Sequence, residues 1–308
     1  MSIRPLLKSL PRVAAPELWQ TLFKGSKAKG QLRVSVMSED AAGPGQWTRS
    51  MAMRGANKVI TVEPHPSFQA SLKTLQDASE GRIVQIQHNP FFEPVEDLLL
   101  HPKNGVLNDI RPQSWDNVHT DLVLAGSIPH SMQGEKFLQD LIMSSIEREG
   151  IFRLGRVEMF FFCYKDTIKK LSAAPGEMQR HRLGLITEAA MDLKTLYKPG
   201  ISHFYLPYDY QLLHIVPHSK PKLESSLETL DFCLRSLFAQ KSKPLDKVIK
   251  LLAPGADILL NRLSFDTNIR IKDMTLDQFN EVALKFDQWP LRPDTLHEDM
   301  ILQERKRK

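Results

Sequence analysis

Through the first two thirds of the chain, short aliphatic runs alternate with longer amphipathic stretches. Arg33–Met37 alternates as a first strand, and Lys58–Val62 reads as a second through Val59, Ile60 and Val62. Residues 66–79 carry a helical pattern. Within 82–87, Ile83, Val84 and Ile86 favour a strand. A short helix over 93–100 is followed by a polar loop or insertion reaching Asn117. Residues 121–125 form a strand ending at Gly126. Residues 133–148 form an amphipathic helix with Phe137, Leu138, Leu141, Ile142 and Ile146 on its apolar side. The continuous apolar run 157–164 fits a strand buried on both faces. Two helical stretches around Pro175-Gly176 and a late strand over 212–216 complete this part. Such alternation predicts a mainly parallel sheet with helices on both sides.

Beyond about Ser225 the pattern is helical only. Leu227, Leu230, Leu234 and Leu237 recur at spacings of three and four, and 247–252 makes a short helix before Pro254-Gly255. Thr275 and Gln278 have the spacing of a capping box, with Phe279, Val282, Ala283 and Phe286 following at helical intervals. Trp289-Pro290 stops that helix. The expected organisation is a basic segment over 1–16, an α/β domain over 17–225, a helical domain over 226–296 and a basic tail over 297–308.

With 308 residues, 42% hydrophobic and 25% charged, the chain has ordinary globular composition. No apolar run approaches the roughly 20 residues that span a bilayer, so no membrane association is expected. Cys163 and Cys233 sit in apolar surroundings and read as buried free thiols, which suits a reducing compartment. The net charge of +5 suits an anionic partner such as nucleic acid. Basic clusters lie at 24–29, 169–170, 180–182, 241–247 and 305–308, each of which also reads as a solvated face. The first sixteen residues hold Arg4, Lys8 and Arg12 and no acid, interleaved with Ile3, Leu6, Leu7 and Leu10. That pattern suits mitochondrial import, although Pro5 and Pro11 weaken it as a helix. The histidines show no metal-ligand spacing, so no metal is expected, and His203, His214 and His218 read as structural or surface groups.

Chemistry concentrates after the first strand. Glu39 is followed by the turn Gly43-Pro44-Gly45, and the second strand ends at Glu63. A strand, a glycine turn and a helix N-terminus can hold a nucleotide-like cofactor, with an acid after the next strand accepting from ribose hydroxyls. Gly-Pro-Gly alone also reads as a plain turn.

Several segments in order resemble the rRNA adenine N6-dimethyltransferase superfamily. Gly43-Pro44-Gly45-Gln46-Trp47-Thr48 resembles its Gly-Pro-Gly-x-x-Thr turn. Ala174-Pro175-Gly176 with Arg182-Leu183 resembles its Pro-Gly … Arg-Leu element, and Pro221–Ser225 its Pro-x-Val-x-Ser. Phe238–Leu245 resembles its Phe-x-x-Arg-Arg-Lys-x-Leu. The segments 152–159 and 289–294 resemble the fungal mitochondrial transcription factor B branch. The resemblance spans roughly residues 30 to 296. It implies a Rossmann-like S-adenosylmethionine methyltransferase fold with a seven-stranded sheet and a small helical C-terminal domain.

Departures from the family pattern shape the functional expectation. Ala41 stands for the glycine of Glu-x-Gly, where a Cβ crowds the ligand. Asn89 stands for the aspartate that holds the adenine amine. Ser127-Ile128-Pro129-His130 replaces the catalytic Asn-Leu-Pro-Tyr, whose asparagine and proline carbonyls hold the target amine while the aromatic ring stacks on the base. The resemblance therefore implies a degenerate methyltransferase, with Glu39, Gly43, Gly45, Glu63 and Asn89 a vestigial S-adenosylmethionine site. No cofactor is required on this reading. The expected role is a monomeric mitochondrial-matrix transcription initiation factor. It would bind the single-subunit mitochondrial RNA polymerase and promoter DNA, especially the melted strand, and stabilise the open complex. Expected nucleic-acid contacts are Arg182, Lys241, Lys243, Lys247, Arg305, Lys306, Arg307 and Lys308, with Trp47 and His130 as stacking candidates. The alternatives are an active dimethyltransferase of the small ribosomal subunit and a non-catalytic ribosome assembly factor.

Overall fold

The computed structural model describes residues 33–37, 45–53, 55–91, 95–198, 209–293 and 296. These fall into two compact units. One comprises the described residues up to Ile168 together with Met191–Ser219; the other comprises Lys169–Ala190 and the described residues from Lys220 onward.

The first unit is built on one seven-stranded sheet: β1 (Arg33–Met37), β2 (Lys58–Val62), β3 (Ile83–Ile86), β4 (Val118–Ser127), β5 (Arg156–Tyr164), β6 (Met191–Tyr197) and β7 (Tyr210–Pro217). The strand order is β3-β2-β1-β4-β5-β7-β6, parallel except for β7, which runs antiparallel to both its neighbours. This is the expected Rossmann-like α/β sheet. The helices are α1 (Gln46–Met53), α2 (Pro66–Asp77), α3 (Glu96–Leu100), α4 (Met132–Glu147) and α5 (Lys165–Ser172), the last of which ends in the second unit. The central strands are fully buried at Val59, Leu122, Leu124, Val157 and Phe161, which is why they read as unbroken apolar runs.

In the sheet, two expectations change. β4 extends on both sides of the predicted 121–125, because His119 anchors its start. His119 is 2% exposed, and its Nδ1 accepts from the backbone N–H groups of Asp121 at 3.1 Å and Leu122 at 3.0 Å. β6 is absent from the sequence reading. It follows helix α6 (Arg182–Ala190) without a break and lies at the sheet edge, where Leu193 and Leu196 are interspersed with exposed polar residues.

The second unit holds α6, α7 (Leu227–Phe238), α8 (Leu245–Val248) and α9 (Leu276–Asp287), with 3-10 turns between α8 and α9. Its core includes Leu230, Leu234, Leu237, Phe279, Val282 and Phe286, the predicted helical stripes. The capping box forms as expected: Thr275 accepts from the Gln278 N–H while the Gln278 side chain accepts from the Thr275 N–H. The boundary lies at Ser219/Lys220 instead of 225, and residues 169–190 join the helical unit because α6 packs with α7 and α9. Both cysteines are free and buried, and burial pushes their thiols well above the ordinary range.

Burial also lowers the pKa of His119 from its ordinary 6.5. Protonation would put a hydrogen on the Nδ1 atom that receives two backbone donors. Since the folded pKa is depressed, the stabilisation is complete above pH 6.5 and is lost as pH falls toward the folded value. The melting temperature will therefore drop between pH 7.5 and pH 5.5. Part of that drop will disappear in His119→Asn, whose Oδ1 keeps the acceptor without titrating.

Candidate cofactor and nucleic-acid site

Parallel register aligns the carboxyl ends of four strands. Met37 lies opposite both Val62 and Gly126, and Val62 lies opposite Ile86. The chain order reverses between β1 and β4, which is where open α/β sheets bind ligands. Glu63, Asn89 and the 127–130 loop all follow directly from these strand ends. Glu39, Ala41 and Gly43 lie outside the described residues.

Glu63 is fully buried. Its Oε1 accepts from the His65 N–H at 2.9 Å, and its backbone oxygen accepts from the Gln69 amide at 2.7 Å. His65 in turn caps α2, its Nδ1 accepting from the Ser67 N–H. The carboxylate is thus held by its own loop at the place where a ribose acceptor is expected. Asn89 is half-buried and its Oδ1 accepts from the Phe91 N–H at 3.1 Å, an Asx turn. Gly45 has a structural reason to be glycine. Its φ is +86°, and a Cβ there would lie 2.7 Å from side-chain carbons of Leu72 and Leu75 on α2. Its presence follows from helix packing whether or not a cofactor binds.

The loop replacing the family's catalytic tetrapeptide is tightly built. Ser127 closes β4 opposite Phe162 and is 2% exposed. The Ile128 N–H continues the ladder to the Phe162 oxygen at 2.9 Å. The Pro129 carbonyl accepts from the Ser131 N–H at 2.9 Å, and Ser131 caps α4 by accepting from the Gly134 N–H. A Cβ on Gly134 would fall 2.1 Å from that Pro129 oxygen, so loop and helix fit only with glycine. His130 is exposed, and its ring centroid lies 3.9 Å from that of Tyr164 at the end of β5. Tyr164 was not singled out in the sequence; its only signal is its place as the last residue of the run 157–164.

Trp47 does not serve as a stacking surface. It is 5% exposed and meets Phe162 edge-on at 5.1 Å in the core, alongside a buried Thr48–Thr61 hydroxyl bond of 2.8 Å. His214 bonds Glu158 at 2.8 Å and stacks on Phe160, while His218 bonds Asp192 at 3.1 Å, both structural arrangements. His203 lies outside the described residues.

The basic candidates divide by burial. Arg182 pairs with Asp231, which is 2% exposed and also binds Arg235 at 2.5 Å. Arg182 therefore holds α6 to α7. Lys241 donates to the backbone oxygens of Met178 at 2.7 Å and Arg180 at 3.5 Å. Lys243 and Lys247 are exposed, the latter beside Asp246 at 2.9 Å. Arg305, Lys306, Arg307 and Lys308 lie outside the described residues. Arg180, read as part of a solvated cluster, is instead 2% exposed and donates to the Ala173 oxygen, the Met274 oxygen and Glu188.

The model of the family described as "Ribosomal RNA adenine dimethylase" matches residues 25–288. The chain belongs to that family. It is 26% identical over 300 residues to "Dimethyladenosine transferase 1, mitochondrial" of Vermamoeba vermiformis, covering 87% of this chain and 86% of the relative. The Homo sapiens protein of the same name is 23% identical over 297 residues, covering 92% and 83%. Among solved structures, a dimethyladenosine transferase from Plasmodium falciparum superposes with a TM-score of 0.61 at 16% identity, covering 90% of this chain and 97% of that one. The 23S rRNA methyltransferase ErmE gives 0.55 at 14% identity, covering 89% and 98%. These likenesses establish an S-adenosylmethionine-dependent methyltransferase fold.

The two kinds of basic residue should behave differently on substitution. Removing the carboxylate in Asp231→Ala leaves two arginines without their shared partner and should cost about 3 kcal/mol, the usual penalty for breaking a buried pair. Lys243→Ala should stay within about 0.5 kcal/mol of the parent, as surface changes do. Denaturant unfolding of both variants measures the difference.

Proposed function

We propose that this family member acts in mitochondrial transcription initiation, as its segments resembling the fungal transcription factor B branch suggest, and that it has lost methyl transfer. It binds the single-subunit mitochondrial RNA polymerase in the matrix, helps open promoter DNA and holds the melted strand. The observation that carries this reading is position 127. Orienting the target amine contributes much of such a reaction's rate, and it needs an acceptor that reaches the base. Ser127 offers a short hydroxyl on a buried strand end, and nothing in its side chain replaces an amide. His130, backed by Tyr164, keeps an exposed ring on which an unstacked base can rest.

Glu63 and Asn89 fit S-adenosylmethionine in kind and place, as acceptors for its ribose and adenine, and that group when bound supplies a methyl. Each already spends an acceptor position on its own loop. The initiation role draws on none of this chemistry.

A second reading is the rRNA adenine dimethyltransferase of the small subunit. The dimethyladenosine transferases among its relatives and the intact Glu63 favour it. Run-off transcription with the cognate mitochondrial polymerase separates the two. The initiation reading expects the protein to be required on a closed promoter and dispensable on the same promoter premelted around the start site. No effect on either template, together with dimethyladenosine formed on small-subunit rRNA, would establish the second reading instead.

A further inference from the structure

The loop over residues 173–181 combines full exposure at its tip with an unusual degree of fixation. Residues 174–179 are all exposed. A loop in that position ordinarily leaves its carbonyls to water, at little cost. Here three cationic side chains take them. Arg180 Nη1 donates to the Ala173 oxygen at 2.7 Å and its Nη2 to the Met274 oxygen at 3.2 Å. Lys272 Nζ donates to the Gly176 oxygen at 3.3 Å, and Lys241 Nζ to the Met178 oxygen at 2.7 Å. The Gly176 N–H bonds the Lys272 oxygen at 2.9 Å, and the Glu177 carboxylate accepts from the Ala174 N–H at 2.8 Å.

What this scaffold presents is Met178, 70% exposed. Holding an apolar side chain out in water on a fixed backbone gives no folding benefit, but it lowers the backbone ordering cost of inserting that side chain elsewhere. The surroundings are cationic. Lys241, Lys243 and Lys272 lie on segments bonded to one another, the Lys272 N–H to the Lys241 oxygen and the Ile271 N–H to the Lys243 oxygen. Glu177 is already bonded within the loop, and Asp273 is paired with Arg270 at 2.5 Å.

We infer that Met178 is a wedge that enters between stacked bases of a nucleic acid whose phosphates lie against the surrounding lysines. Apolar side chains, methionine among them, are used in this way to unstack and kink a duplex. The lysines supply the sequence-independent attraction and the wedge supplies the distortion. In this arrangement Lys241 acts twice, fixing the loop and placing a charge beside its tip. The inference rests on the nucleic-acid reading above and adds the residue that deforms the ligand.

The test is a DNA duplex carrying 2-aminopurine beside a short unpaired bubble, whose fluorescence rises on unstacking. The parent protein should bind and raise the signal. Met178→Ala, at an exposed position, should keep the parent melting temperature and the parent salt dependence of binding while losing the rise. Met178→Leu should retain it. A parent that binds without any rise, or a Met178→Ala variant that gives the full rise, overturns the wedge and leaves the nucleic-acid reading standing. A parent that does not bind the duplex at all removes that reading, and the wedge with it.

Discussion

The position of the 127–130 loop depends on how β4 is held. Parallel ladders to β1 on one side and β5 on the other fix its carboxyl end, with Gly126 opposite Met37 and Ser127 opposite Phe162. The Ile128 N–H extends the second ladder by one bond beyond the strand. A loop leaving a strand so constrained has little freedom, and its side chains are delivered at defined heights above the sheet. That rigidity orients a serine hydroxyl and an imidazole.

That constraint explains why the fold persists around a changed tetrapeptide. Gly45 is glycine because Leu72 and Leu75 of α2 fill the place of a Cβ, and Gly134 because the Pro129 oxygen does. Glu63 receives the His65 N–H, and Ser131 caps α4. Each of these residues has a structural role that does not require methyl transfer. Loss of catalysis would therefore leave them in place, and their presence is weak evidence for it. Of the departures from the family pattern, Ser127 is buried at the end of β4 opposite Phe162, and His130 packs its ring on Tyr164.

Much of the sheet was legible because its central strands are buried on both faces, so periodicity and composition agreed. Edge strand β6 was not, since most of it is only partly buried or exposed and it follows α6 without a turn residue. The places of Glu63, Asn89 and the 127–130 loop at or after strand ends were legible, because residue types follow the strands in order. Burial among the cations was not legible. The stretch 180–182 reads as a solvated face, yet loop carbonyls claim Arg180 and a buried aspartate pairs with Arg182. Partners far along the chain decide such cases, because burial of an arginine depends on what folds over it. Trp47 failed for the same reason: the glycine turn before it suggested a cleft, and its ring turned into the core against Phe162.

A site that no longer orients an adenine will not methylate one. The purified protein incubated with S-adenosylmethionine and a small-subunit rRNA hairpin, with dimethyladenosine read by mass spectrometry of the digested RNA, is therefore expected to give none above a no-protein control. Stoichiometric dimethyladenosine at a defined adenine would overturn the loss of methyl transfer and show that Ser127 suffices where the family uses asparagine.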